Sequence, residues 1–184
     1  MRWFRSAVLY TALALGANAA FADTASLEAL RDGSMKKLVF SDPVDVSQVV
    51  FTDPEGGEHM LADWQGKYVL VNFWATWCAP CRKEMPMLDA LQAEFGGETF
   101  EVVTIATGRN AVPAIKRFFE EIGVSHLPIL LDPKQELARE MAVLGLPITI
   151  ILNPEGQEIA RLRGDAEWDG ESAKAIITAL VSGS

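Results

Sequence analysis

Cysteine and histidine are scarce in this chain, with 2 of each among 184 residues. That excludes a disulfide-dense scaffold. It also argues against a metal centre, because zinc sites need about four ligands and copper sites two or three, and His59 and His126 both lie far in sequence from the cysteines. They read as surface or loop residues. Positive charge is short as well: 16 Lys and Arg stand against 25 Asp and Glu, a net charge of −9. No basic patch is available to displace counterions from phosphates, which excludes a nucleic-acid binder. Gly (14) and Pro (9) are present at ordinary levels, so neither collagen nor wholesale disorder fits. Internal repeats, low-complexity tracts and interdomain linkers are all missing, and the length suits one well-buried domain.

A long apolar run is also lacking. Ser6 to Ala22 carries no charge over 17 residues, but Gly16 and Asn18 dilute it, and a permanent span wants about 20 strongly apolar residues. Behind Arg2 and Arg5, and ending in the small-x-small pattern Ala20-Phe21-Ala22 (with Ala17-Asn18-Ala19 as a second candidate), the run reads as a cleavable export signal, with an uncleaved membrane anchor as the alternative. No cysteine lies near the cleavage point, which excludes a lipoprotein, and the two arginines are not adjacent, so a twin-arginine signal is unsupported. Cleavage after Ala22 leaves 162 residues and, with two arginines removed, a charge of 14 − 25 = −11. The expected organisation is a signal over 1–22, a partly helical or flexible extension over 23–48, and one domain over 49–184. The expected location is the periplasm, an oxidising compartment.

Along the domain, Val49–Thr52 and Glu58–Leu61 flank the turn-rich Asp53-Pro54-Glu55-Gly56-Gly57 and predict a β-hairpin. Tyr68–Trp74 is almost continuously apolar and β-prone, as a central strand buried on both faces would be. From Cys81 to Phe95 the apolar period becomes helical, ending at Gly96-Gly97, with Pro86 expected to kink the helix by removing a backbone donor. A strand over 100–106, a helix marked by Ile115, Phe118, Phe119 and Ile122 and stopped by Gly123, a strand over 128–131 and a helix over 135–144 follow. Ile148–Leu152 and Glu158–Arg163 read as strands joined at Asn153-Pro154-Glu155-Gly156, and a helix containing Ala173, Ile176, Ile177 and Leu180 ends the chain. Strands alternating with helices describe an α/β fold with a mixed central sheet flanked by helices.

The chemistry concentrates in Cys78-Ala79-Pro80-Cys81, which starts straight after a strand and opens a helix. Unpaired N–H groups and the positive dipole end of that first turn favour a thiolate. Cys78, first in the turn and with its sulfur expected to be exposed, is the natural nucleophile; Cys81 lies on the same side and should be shielded. Exchange would pass through a mixed disulfide on Cys78, resolved by Cys81. A purely structural bridge is the rival reading, but closing so short a loop removes little chain entropy.

The stretch Val71-Asn72-Phe73-Trp74-Ala75-Thr76-Trp77-Cys78-Ala79-Pro80-Cys81-Arg82-Lys83-Glu84-Met85-Pro86, with Leu144-Gly145-Leu146-Pro147 before an apolar strand, resembles the thioredoxin-like family in its TlpA/ResA/CcmG branch. The Pro154-Glu155-Gly156 hairpin and Ala166-Glu167-Trp168 lean toward TlpA within it, and the likeness runs from about Val49 to the C-terminus. It implies a thioredoxin-like fold with an N-terminal β-hairpin and, in the 66 positions between Cys81 and Pro147, a strand–helix insert. It implies that Cys78 attacks and Cys81 resolves, that Pro147 is a cis-proline facing the disulfide, and that the backbone of Leu146 pairs with a partner's extended chain. Trp77 would shield the disulfide and line the docking surface, with Trp74 in the core. Glu84 matches an acidic residue that ResA-like members keep near the thiols, where it would raise a thiol pKa and relay protons; the alternative is a solvated first-turn glutamate.

The dipeptide Ala79-Pro80 lacks the histidine of strong oxidants and is similar to thioredoxin's small-Pro pair, which points to a reductant. The resemblance implies disulfide-bearing periplasmic clients, namely copper chaperones or copper-site cysteines of cytochrome oxidase, and recharging by a membrane donor of the CcdA/DsbD type. The alternatives are a CcmG-like reductant of apocytochrome c and, from another class, a thioredoxin-fold chaperone holding Cu(I) on its two thiols. No cofactor, metal or nucleic acid is expected, and nothing suggests an obligate partner subunit.

Overall fold

A computed structural model of the protein describes residues 24–183, so the export segment expected at 1–22 lies outside the described residues. In chain order the elements are α1 (Thr24–Ala29), a 3-10 turn (Gly33–Lys37), β1 (Leu38–Asp45), β2 (Phe51–Thr52), β3 (Glu58–His59), a 3-10 turn (Leu61–Trp64), β4 (Tyr68–Trp74), α2 (Ala79–Phe95), β5 (Phe100–Thr107), α3 (Val112–Ile122), β6 (Leu130–Asp132), α4 (Glu136–Glu140), β7 (Ile148–Leu152), β8 (Gln157–Arg163) and α5 (Glu171–Ser182). None of the helices among the described residues is long and apolar enough to cross a membrane.

The strands form one mixed sheet in the order β1-β8-β7-β4-β5-β6-β2-β3. β4 is parallel to β5 and antiparallel to β7, and all seven of its residues are buried. Because side chains alternate across a strand, β4 feeds two cores. Val69, Val71 and Phe73 pack with Phe51, Ile105, Leu137 and Ile150 on one face. Leu70 and Trp74 pack with Met85, Leu88, Phe118, Phe119, Trp168 and Ile176 on the other. Trp74 stacks on Phe119 with ring centroids 5.6 Å apart, which places it in the core. Asn72 sits on this second face, the only amide side chain in the strand.

Three local features differ from the sequence expectation. Residues 38–45, ahead of the hairpin, form a full edge strand antiparallel to β8, interrupted by a register shift between Phe40 and Val44 around Pro43. β1 is mostly exposed, so it lacks the apolar alternation by which strands are read from sequence. α2 begins at Ala79 rather than Cys81 and runs through Pro86 to Phe95. α4 ends at Glu140 instead of 144: Ala142 takes a left-handed φ of 52°, while Val143 N donates to Ala138 O and Ala142 N to Arg139 O, a Schellman-type stop. The hairpin β2–β3 joins the sheet through β6, and β6 with α4 is the strand–helix unit inserted before Pro147.

Asp132, at the end of β6, anchors the start of α4. Its buried carboxylate accepts from Glu136 N, Ala138 N and Thr107 Oγ1 at 2.9, 2.9 and 3.1 Å. Asp132→Ala strands those donors, and we expect it to lower the unfolding free energy by about 2 kcal/mol in a urea titration. A loss under about 0.5 kcal/mol would show that water takes the carboxylate's place.

Candidate active site

The sheet delivers β4 directly into a loop, and the loop into α2. Cys78 is the N-cap of that helix: its backbone is extended, its carbonyl accepts the first helical bond from Arg82 N at 3.1 Å, and its Sγ accepts Cys81 N at 3.3 Å. Pro80 occupies the first turn, where its missing donor goes unnoticed. Cys78 and Cys81 are joined in a disulfide with Cα atoms 5.3 Å apart. The pair is more enclosed than the sequence suggested. Cys78 is 6% exposed and Cys81 0%, because both belong to the core cluster that includes Trp74, Ala75 and Met85. The order of accessibility still puts Cys78 outermost.

Loop 75–77 is tied down from a neighbouring loop. Thr76 donates through both its N–H and its hydroxyl to Asn110 Oδ1, at 2.8 and 2.9 Å, while Asn110 Nδ2 donates to Thr107 O. Trp77 projects into solvent, 66% exposed. Arg82 lays its guanidinium 4.1 Å from the Phe118 ring centroid, adding positive charge to the first turn of α2. The Leu146–Pro147 peptide bond is cis. Ile148 pairs with Phe73 across β4 and β7, so the Leu146–Pro147 segment lies at the end of the sheet from which the Cys78 loop departs. Leu144, on the same approach, is 96% exposed.

Glu84, one turn beyond Cys81 on the same helix face, is fully buried, and the solvated-glutamate reading is overturned. Its Oε1 accepts Asn72 Nδ2 at 2.8 Å; its Oε2 accepts Ala166 N and Trp168 Nε1, both at 3.2 Å. Loss of solvent, with a smaller push from the nearby Asp165 carboxylate, holds its pKa up at about 7 against the three N–H donors, which act to lower it. Asp165 is itself flanked by Lys37 and Lys83, each 3.8 Å away. A buried acid titrating near neutrality beside a dithiol can hold or release a proton during exchange.

Asn72, Asn110 and the Trp168 indole escaped sequence reasoning as site residues. A signal did exist for the first: a lone asparagine in the middle of a strand otherwise built of large apolar residues must find partners for its amide. His59 lies half-buried at the hairpin, in a three-ring cluster with Phe51 and Trp64 whose centroids are 5.9 to 6.1 Å apart, with Asp53 3.3 Å from one ring nitrogen and Asp63 3.8 Å from the other. His126 is mostly exposed and 3.0 Å from Asp89. Among the described residues, no group of three or more His, Cys, Asp or Glu is arranged to hold a metal.

A CxxC disulfide capping the helix that follows the central strand of such a sheet makes this a thioredoxin-fold thiol–disulfide oxidoreductase. The family model described as AhpC/TSA matches residues 44–159, and the chain belongs to that family. It is similar to the thiol-disulfide oxidoreductase ResA of Bacillus subtilis (strain 168), 33% identical over 124 residues that cover 67% of this chain and 68% of that one. ResA of Geobacillus kaustophilus is 33% identical over 108 residues, covering 59% of this chain and 61% of its own. Among solved structures, the thioredoxin domain of a thiol-disulfide oxidoreductase from Bacteroides vulgatus superposes with a TM-score of 0.65 at 25% identity, covering 78% of this chain and 99% of that one. The exposed lipoprotein thioredoxin Etrx1 of Streptococcus pneumoniae gives 0.59 at 25% identity, over 74% and 99%.

Proposed function

We propose that the protein is an exported dithiol reductant that opens specific disulfides in other proteins, with Cys78 as nucleophile and Cys81 as resolving thiol. The observation that carries this reading is the Cys78–Cys81 disulfide at the N-terminus of α2, with Cys78 the slightly more exposed residue of the pair and a buried carboxyl one turn further on. In the reduced chain the Cys78 thiolate, favoured by the first turn of α2, attacks a client disulfide. One client sulfur leaves as thiolate and a mixed disulfide forms. Cys81 then gives its proton to the Glu84 carboxylate and attacks Cys78 Sγ. The second client thiolate leaves, the client has gained two electrons, and the chain holds the disulfide described above. A membrane thiol donor of the CcdA/DsbD type returns the two electrons. Exposed Trp77 and Leu144 and the Leu146–Pro147 backbone form the surface on which the client's extended chain docks.

The Ala79-Pro80 dipeptide supports the reducing direction, and the exposed-lipoprotein relative together with the Ser6–Ala22 segment supports export. The clients we assign are the paired cysteines of copper-site proteins in cytochrome oxidase assembly. Two measurements test this. The reduction potential should lie near that of thioredoxin, about −270 mV, and a value near that of DsbA, about −120 mV, overturns the direction. Cys81→Ser, expressed in the native exported compartment, should accumulate as a mixed disulfide through Cys78. Trapped apocytochrome c instead of copper-site proteins would overturn the client assignment and leave the chemistry standing.

A further inference from the structure

Among the described residues one buried side-chain polar atom has no hydrogen-bond partner, and it is Asn72 Oδ1, beside Glu84. Both amide hydrogens of Asn72 are used: Nδ2 donates to Glu84 Oε1 at 2.8 Å and to Thr149 Oγ1 at 2.9 Å. Thr149 is the cross-strand partner of Asn72 in the β4–β7 ladder, so the two side chains share a face. Glu84 Oε2 is taken by Ala166 N–H and Trp168 Nε1–H. Every direct neighbour of the carboxyl is therefore a donor, as suits a carboxylate. Once Glu84 is protonated it needs an acceptor, and neither Ala166 N–H nor the Trp168 indole can be one.

We propose that Asn72 is the positioning residue for the proton on Glu84, turning its amide by half a turn about Cβ–Cγ as Glu84 is protonated. With Glu84 charged, Nδ2 faces Oε1 and Thr149. With Glu84 neutral, Oδ1 faces them and accepts from the Glu84 hydroxyl and from the Thr149 hydroxyl, which is free to rotate from acceptor to donor. Asn72 makes two bonds in either state and leaves one amide atom unpaired in either state. That symmetry accounts for the orphan oxygen, and it spares the acid from being locked in one form. Asp in place of Asn72 would add a second acid, and an apolar residue would serve neither state. The other charges around Glu84 are Asp165, after β8, with its partners Lys37 on the 3-10 turn and Lys83 on α2; they bias the titration without reaching the proton.

This inference rests on the proposed proton step at Glu84, and the test separates the two. In the full oxidised chain, the carboxyl C=O stretch of Glu84 followed by infrared spectroscopy (Glu84→Gln as the reference) gives the titration midpoint. Nuclear Overhauser contacts from the Asn72 amide hydrogens to Glu84 and Thr149 side-chain hydrogens should be present above that midpoint and lost below it. Contacts unchanged while the carboxyl titrates overturn the amide turn and leave Glu84's role intact. A carboxyl that does not titrate between pH 5 and 9 overturns the proton step itself. Asn72→Leu should move the midpoint up by about one unit, because the bond lost to the charged form is stronger than the one lost to the neutral form. An unmoved midpoint in a folded Asn72→Leu chain also overturns the proposal; if that variant does not fold, the contacts in the unmodified chain decide alone.

Discussion

Cys78→Ala chains should reduce protein disulfides at least about 10³-fold more slowly than the unmodified dithiol, down to the level of buffer thiols. The size of the loss follows from where the sulfur sits. Cys78 caps α2, so its thiolate faces the unpaired N–H groups of the first turn, including Cys81 N. Cys81 cannot take over, since it is fully buried beneath Cys78. The fold should survive: a bridge with a sequence separation of 3 contributes about 2 kcal/mol at most through loop closure, and α2 remains packed through Met85, Leu88 and Leu91. The measurement is the rate of reduction of a disulfide-linked protein substrate under single turnover, alongside a urea titration. A variant retaining more than about a tenth of the rate would mean that Cys78 is not the attacking group. Unfolding in the variant would mean that the bridge is structural.

Much of the architecture was legible because the β4 run and the helical periods of α2, α3 and α5 depend on burial, and burial leaves a pattern. The CxxC was legible for another reason: strand, cysteine pair and helix opening coincide within a few residues. What escaped has no periodic signature. β1 exposes Val39 and Val44 and carries Pro43, so its strand character comes from pairing with β8 rather than from its own sequence. The fate of Glu84 was undecidable locally. Position three after Cys81 fits a solvated first turn as well as a buried acid, and the difference lies in Asn72, Ala166 and Trp168, donors 12 to 84 residues away. Asn110, holding Thr76 from the loop after β5, is likewise a contact across 34 residues. Long-range polar contacts of this kind are specified by the fold, and only a buried polar residue out of pattern, such as Asn72, announces that one must exist.

Glu84→Gln should make the oxidised chain more stable than the unmodified protein at pH 8 and no more stable at pH 4. Glu84 binds its proton more tightly folded than unfolded, with a pKa of about 7 against an ordinary 4.5. Between those values the folded chain carries the extra proton, so stability falls as pH rises; the contribution is fully present below about 4.5 and lost above about 7. A difference of that size corresponds to about 3 kcal/mol at full ionisation. Glutamine keeps the shape, its oxygen still accepting from Ala166 N and Trp168 Nε1, while its NH₂ meets Asn72 Oδ1 once that amide has turned. The variant therefore loses this part of the pH dependence without opening a cavity. Urea unfolding of both chains at pH 4 and pH 8 gives the comparison, and parallel profiles would show that Glu84 does not titrate in this range. The same substitution should slow resolution of the mixed disulfide at neutral pH, since Cys81 then has no carboxylate to receive its proton. A protein that retains an acid which destabilises it at neutral pH, where an amide would fit as well, is best explained by the need to move a proton there.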